Sequence, residues 1–168
     1  HYGRHGSRYQ SNDRYAGLLL PVLRKADSLN LLSEAGKAFY KDFNAVMQEQ
    51  CGMYGMLTTL GAKEQRGIAK RMATKFSEVC NGRTEIFCQS STVPRCLVSM
   101  TNFAHSFDRH AGGLNFQFVT GEKYYNCLAY SHDPSQALKI ADQKEDSLRR
   151  AVMKPLELLD YLFADRNK

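Results

Sequence analysis

Apolar residues recur at helical spacing along most of this chain, and only two short segments break that rhythm. Residues 12 to about 30 put Tyr15, Leu18, Leu19, Val22 and Leu23 on one side of a helix, with Pro21 expected to kink or delay it. Ser33 is set to cap a second helix running to about residue 50, with Phe39, Phe43, Val46 and Met47 as its apolar stripe. Residues 59 to about 79 show the clearest pattern. Leu60, Ile68, Met72, Phe76 and Val79 share one face, Lys63, Glu64, Arg71, Lys75 and Glu78 the other, and Asn81-Gly82 ends the run. A helix starting near Thr92, with Thr92 as cap and Pro94 in its first turn, carries Leu97, Met100, Phe103 and Phe107 as far as about residue 109. Gly112-Gly113 stops it. Asp133-Pro134 opens another helix, to about residue 153. Pro155 breaks that one, and Leu158, Leu159, Leu162 and Phe163 mark the last. Residues 84–88 and 115–119 read as short strands. The fold class expected is therefore a helix-rich α/β arrangement with few strands.

A length of 168 residues suggests one domain, or one domain and part of another. Hydrophobic residues at 43% and charged residues at 24% indicate a globular chain rather than a disordered one. The net charge of +6 favours anionic partners, whether phosphate esters, nucleic acid or acidic lipid. No block of five basic residues occurs, so nucleic acid is the weaker choice. The longest apolar run, Gly17-Leu18-Leu19-Leu20, stops at Pro21 and falls far short of the roughly 20 residues of a membrane span. None of the five cysteines is in a CxxC pair, which argues against zinc. Their odd number leaves at least one unbridged, and the pairing of the others stays open.

The segment richest in chemistry is Arg4-His5-Gly6-Ser7-Arg8. Gly6 lets the backbone turn and approach a ligand. Arg4 and Arg8 offer planar forks that match phosphate oxygens. His5 can attack phosphorus when one ring nitrogen donates to a fixed carbonyl and the other keeps its lone pair. The bland alternative is a solvated basic segment. A second stretch, Ser90-Ser91-Thr92-Val93-Pro94-Arg95-Cys96, weighs against that alternative. It follows an expected strand and opens an expected helix, so Arg95 sits in a first turn that favours an anion. Ligand sites of open α/β sheets lie at such strand ends. His105 and His110 read as polar-face helix residues.

Taken together, these blocks resemble the histidine phosphatase superfamily in its acid phosphatase and phytase branch. Three match in order. They are Arg4-His5-Gly6-Ser7-Arg8-Tyr9; Leu57-Thr58-Thr59-Leu60-Gly61 with Gln65 and Ala69-Lys70-Arg71; and Ser90 to Cys96 with Ser99 and Phe103. The third is most similar to the multiple inositol-polyphosphate phosphatases. The resemblance implies that His5 is the nucleophile, forming a phosphohistidine, and that Arg4, Arg8 and Arg95 bind the phosphate. It places Tyr9 near the substrate, an inositol polyphosphate or similar phosphomonoester. It implies no metal and no organic cofactor, and an exported or lumenal location. Residues 1–120 would form the N-terminal part of a three-layer α/β/α core with an incomplete central sheet, and residues 121–168 would begin an inserted helical cap.

The chain also departs from that pattern. Gln10 stands where the family usually has proline. The branch needs a second histidine with an acidic proton donor far toward the C-terminus. His132-Asp133 comes too soon, and Asp133 followed by Pro134 reads equally as a helix cap. His110-Ala111 is followed by Gly112 instead of an acid. The expectation is therefore the nucleophile part of a phosphatase without its general acid or most of the strand before Arg4. The alternative is a non-catalytic anion-binding module on the same fold. A mutase or small phosphatase of the shorter branch would suit His132 better but fits residues 90–103 poorly. Oligomeric state is not legible.

Overall fold

The computed structural model describes residues 1–80, 84–128 and 136–164. In chain order its helices and strands are α1 (Arg14–Ser28), α2 (Glu34–Gln50), α3 (Thr59–Lys75), β1 (Glu85–Ser90), α4 (Pro94–Ala111), β2 (Asn115–Thr120), α5 (Tyr125–Leu128), α6 (Gln136–Val152) and α7 (Pro155–Leu162). They form two compact units. One comprises His1–Tyr9 and Gly55–Pro134, the other Gln10–Tyr54 and Ser135–Lys168.

In the first unit β1 and β2 run parallel, with Glu85 opposite Asn115 and Ser90 opposite Thr120. Parallel strands need a long crossover, and α4 is that crossover. The fold is thus a helix-rich α/β one with few strands, as expected, and those strands form a small parallel sheet. The core gathers Ala69, Ala73, Phe107 and Leu114, with Met72, Ile86, Phe103 and Phe116 packed against them.

The buried face of α3 differs from the apolar stripe read in the sequence. Gly61, Gln65, Ala69 and Ala73 are buried, whereas Leu60, Phe76 and Val79 are exposed. The reason lies in what α3 packs against. Small residues four apart let α4 and the His1–Tyr9 segment come close, where leucines would hold them off. Polar bonds then tie the two helices together. Arg66 Nη1 donates to Asn102 Oδ1 at 2.5 Å, and Ser106 Oγ donates to the Arg66 carbonyl at 3.0 Å. Thr58 caps α3 by accepting from the Gly61 N–H at 3.0 Å. The stop expected at Asn81-Gly82 lies outside the described residues.

Thr92 does not cap α4. The cap position falls to Val93, Pro94 occupies the first turn, and the Thr92 hydroxyl pairs with the Tyr125 hydroxyl at 2.7 Å. At the other end Gly112, with φ 87°, provides the left-handed turn expected of it.

The second unit is helical. Leu23 is wholly buried with Ala26 and Leu32, and Leu19, Tyr40, Phe43 and Phe163 pack around them. Pro21 costs α1 a backbone hydrogen bond without ending it, because burial of Leu23 and Ala26 carries the helix through. Leu18, Val22, Phe39 and Val46 are exposed, so the buried stripes of α1 and α2 are narrower than the sequence pattern. Ser33 caps α2 as predicted, accepting from the Gly36 N–H at 3.0 Å. Its hydroxyl donates to the Tyr161 carbonyl at 2.6 Å, and its N–H donates to the Leu162 carbonyl at 3.0 Å. The start expected for α6 at Asp133-Pro134 lies outside the described residues.

Leu23→Ala should destabilise the protein by about 3 kcal/mol, because the cavity it leaves is enclosed. Urea unfolding followed by circular dichroism measures this, and a loss below about 1 kcal/mol would contradict the core assignment.

Candidate functional site

Residues 1–7 form neither helix nor strand, and Arg8 makes an isolated antiparallel bridge with Leu57. The Arg4–Arg8 loop is nevertheless held along its whole length. Gln65 Nε2 donates to the Arg4 carbonyl at 3.1 Å, and the Gly6 N–H donates to Ser99 Oγ at 3.2 Å. The Ser7 N–H and hydroxyl both donate to the Glu64 carboxylate, at 2.7 and 2.8 Å. The Ser7 carbonyl accepts from Thr58 twice, from N–H and from Oγ1, each at 2.9 Å. The Tyr9 N–H donates to the Met56 carbonyl at 3.0 Å.

Two glycines make this approach feasible. A Cβ on Gly6 would overlap the Gly61 backbone, and a Cβ on Gly61 would overlap the Ser7 backbone. Gly6 therefore does what a glycine in this loop is expected to do, but against α3 of its own chain.

His5 Nδ1 lies 2.7 Å from the Gly6 carbonyl. A carbonyl can only accept, so Nδ1 carries the proton and Nε2 keeps its lone pair. Burial pushes the imidazole below the ordinary histidine value, and the guanidiniums of Arg95, Arg4 and Arg8 push it the same way. The Gly6 carbonyl opposes them. The three arginines singled out in the sequence are thus all felt by His5.

Each arginine is held differently. Arg95 is half-buried, and its Nη1 donates to the Gly55 carbonyl at 3.3 Å. Its Nε–H is buried with no hydrogen-bond partner among the described residues. Arg8 Nη1 donates to the Tyr9 carbonyl at 2.9 Å. Arg4 is exposed. Tyr9 takes part in the loop through its N–H and carbonyl. Val93 has no side-chain oxygen to cap α4, Pro94 brings no N–H, and the Cys96 and Leu97 N–H groups donate to the Val93 carbonyl at 2.9 and 3.2 Å.

Two concavities flank Arg4 and His5. One, about 240 Å³, is lined by Gln65, Cys88, Ser99 and Phe103 among others. The other, about 540 Å³, is lined by Lys63, Glu64, Gly67 and Arg71 among others. Burial raises the Cys88 thiol, which therefore stays protonated and is a poor nucleophile. The Ser7 bonds hold Glu64 below the usual carboxylate range, so it accepts hydrogen bonds and is no acid. Among the described residues lining the two concavities, Glu64 is the one carboxylate. His105 is exposed on α4, and His110 Nδ1 bonds the Ser106 carbonyl at 2.7 Å, consistent with polar-face positions. His132 and Asp133 lie outside the described residues.

All five cysteines are unpaired thiols, and Cys51 and Cys127 are exposed. Among the described residues no three His, Cys, Asp or Glu side chains converge as metal ligands, and no helix is long and apolar enough to cross a membrane. Sequence reading missed the parts played by Glu64, Gln65 and Ser99 in holding the loop. For two of them a signal existed. Gln65 lies in register with Gly61, Ala69 and Ala73 on α3, and Ser99 is a small polar residue four positions after Arg95 on α4.

Two outcomes are expected. As pH falls through its lowered value, His5 gains a proton beside three guanidiniums. Any stability its neutral form contributes is full above 6.5 and is lost below its own midpoint. An NMR titration should therefore place the His5 midpoint below 6.5, and a midpoint at or above that value would contradict the geometry. Gly61→Ala should lower stability by roughly 1–3 kcal/mol, because the Ser7 backbone would have to shift and strain its bonds to Thr58 and Glu64, and an unchanged melting temperature would argue against the close approach. No family model matches this chain and no curated protein is detectably similar to it, so the geometry carries the functional reading.

Proposed function

We propose that this protein is a phosphomonoesterase of the histidine phosphatase kind, acting on inositol polyphosphates with His5 as nucleophile. Arg4, Arg8 and Arg95 form the phosphate clamp in this reading, and Tyr9 stands near the substrate. The β1–α4–β2 segment would belong to a three-layer core, and the chain after residue 120 would begin a helical cap. The observation that carries the proposal is the Nε–H of Arg95, buried without a partner near a neutral imidazole. Leaving such a donor unsatisfied costs about 1–3 kcal/mol, and a phosphate oxygen would satisfy it.

The chemistry follows from the proton on Nδ1. The Nε2 lone pair attacks phosphorus, a P–N bond forms and the ester P–O bond breaks. The guanidiniums neutralise charge on the three transferring oxygens. Water then adds to phosphorus and the P–N bond breaks. Inorganic phosphate leaves, the electron pair returns to Nε2, and a proton passes from the water to solvent. The first step expels an alkoxide, which needs a proton. Without a general acid it slows by about 10²–10⁴-fold.

A second reading, a phosphate-binding module without turnover, draws on Glu64. It is the carboxylate of the site, and both its oxygens accept from Ser7. Leaving-group dependence separates the two readings. Nitrophenolate departs without a proton, so p-nitrophenyl phosphate should release phosphate with this protein much faster than an alkyl phosphate does. His5→Ala should bring that release to background, and unchanged release would sink the nucleophile assignment. No release by the unmodified protein, with inorganic phosphate still bound and weakened by Arg95→Ala, would favour the binding module.

A further inference from the structure

A second cluster of positive charge lies along α3, outside the three-arginine clamp. Lys63, Gly67 and Arg71 follow one another at intervals of four on one side of the helix. Together with Arg4, His5 and Glu64 they line the concavity of about 540 Å³. Gly67 leaves the middle of this row without a side chain. The Arg71 guanidinium lies beside that position, with Nη1 3.4 Å from where a Cβ on Gly67 would stand, an ordinary contact distance. Arg71 is thereby folded back along α3 toward Lys63 and Arg4.

The charge there is uncompensated. Among the described residues, neither Lys63 nor Arg71 takes part in an ion pair. Glu64, the carboxylate of the same concavity, has both oxygens committed to Ser7. Lys63 and Arg71 belong to α3 and line the same concavity as His5, but they are not among the three arginines of the clamp. A single phosphate on His5 would leave them unused. A ligand with a second phosphate could use both groups, because Arg4 and His5 line the same concavity as Lys63 and Arg71.

We propose that Lys63 and Arg71 form a second anion subsite, which holds a further phosphate of a small polyphosphorylated ligand while the first lies against His5. The inference rests on His5 and its arginines holding one phosphate. It adds a reason for preferring substrates with several phosphates, and it names the residues responsible. A monophosphate gains only the diffuse attraction of the two cations, whereas a polyphosphate gains direct contact.

The test compares two probes, inorganic phosphate and inositol hexakisphosphate, by calorimetric titration of the full chain. Lys63→Ala and Arg71→Ala should each weaken hexakisphosphate by roughly threefold, and the double variant by about tenfold, with a smaller loss on inorganic phosphate. Lys144→Ala, on the exposed α6, controls for net charge and should leave the ratio of the two affinities unchanged. Equal losses on both probes, or a Lys144→Ala effect as large as that of Lys63→Ala, would overturn the subsite. So would no loss at all. Failure of the clamp has a different signature. Arg95→Ala would then leave inorganic phosphate binding untouched, whatever Lys63 and Arg71 do. All the substituted side chains are exposed or half-buried, and circular dichroism confirms that each variant folds.

Discussion

The apposition of Gly6 and Gly61 is the contact on which the site depends. Two backbones meet there without side chains between them, one from the loop and one from the first turn of α3. That closeness brings the Ser7 carbonyl within reach of Thr58 and the Ser7 N–H within reach of Glu64. It also sets the loop so that Gln65 meets the Arg4 carbonyl and Ser99 meets the Gly6 N–H. Thr58 joins loop and helix directly. Its hydroxyl oxygen accepts from Gly61 while its proton goes to Ser7. The N–H and carbonyl groups of Gly6 and Ser7 and the Arg4 carbonyl are thus spent on fixing the loop's course, while the Arg4 side chain stays exposed.

Electrostatics pull against this order. Three guanidiniums near one imidazole repel each other and disfavour a proton on the ring. Packing and backbone bonds must offset that repulsion. Gly55 and Tyr9 provide carbonyls for Arg95 and Arg8. What they leave over, the Arg95 Nε–H and the exposed Arg4, suits an anion better than water in a half-buried site. The proposed phosphate would relieve the repulsion that the fold otherwise bears.

How much of this was legible in the sequence varies by element. Ser33 and Gly112 were readable because capping is local. A side-chain oxygen or an unhindered left-handed turn does its work within a few residues. Thr92 misled because the helix starts at Pro94, which puts Val93 at the cap and leaves the Thr92 hydroxyl to pair with that of Tyr125. The α3 stripe misled for a similar reason. Leu60 and Val79 fit a helical period, but the neighbour's shape selected Gly61, Ala69 and Ala73. Arg4, His5, Arg8 and Arg95 stood out by residue type and by position at helix and loop ends. Of the residues that hold the loop, Gln65 and Ser99 carried only the faint signal of their helical register, and Glu64 none, because local spacing does not say what lies opposite.

The sequence by itself determined the helical rhythm, the two strands, the capping residues that act locally, and the residue types able to hold phosphate. Those properties depend on a few neighbours along the chain. Only the tertiary structure decided which proton His5 carries, which arginine is left with an unused donor, and which face of α3 is buried. It also decided that Arg71 turns back over Gly67. Each of these depends on atoms brought together from far apart in sequence, or on free space next to a backbone, and neither is encoded in a local pattern.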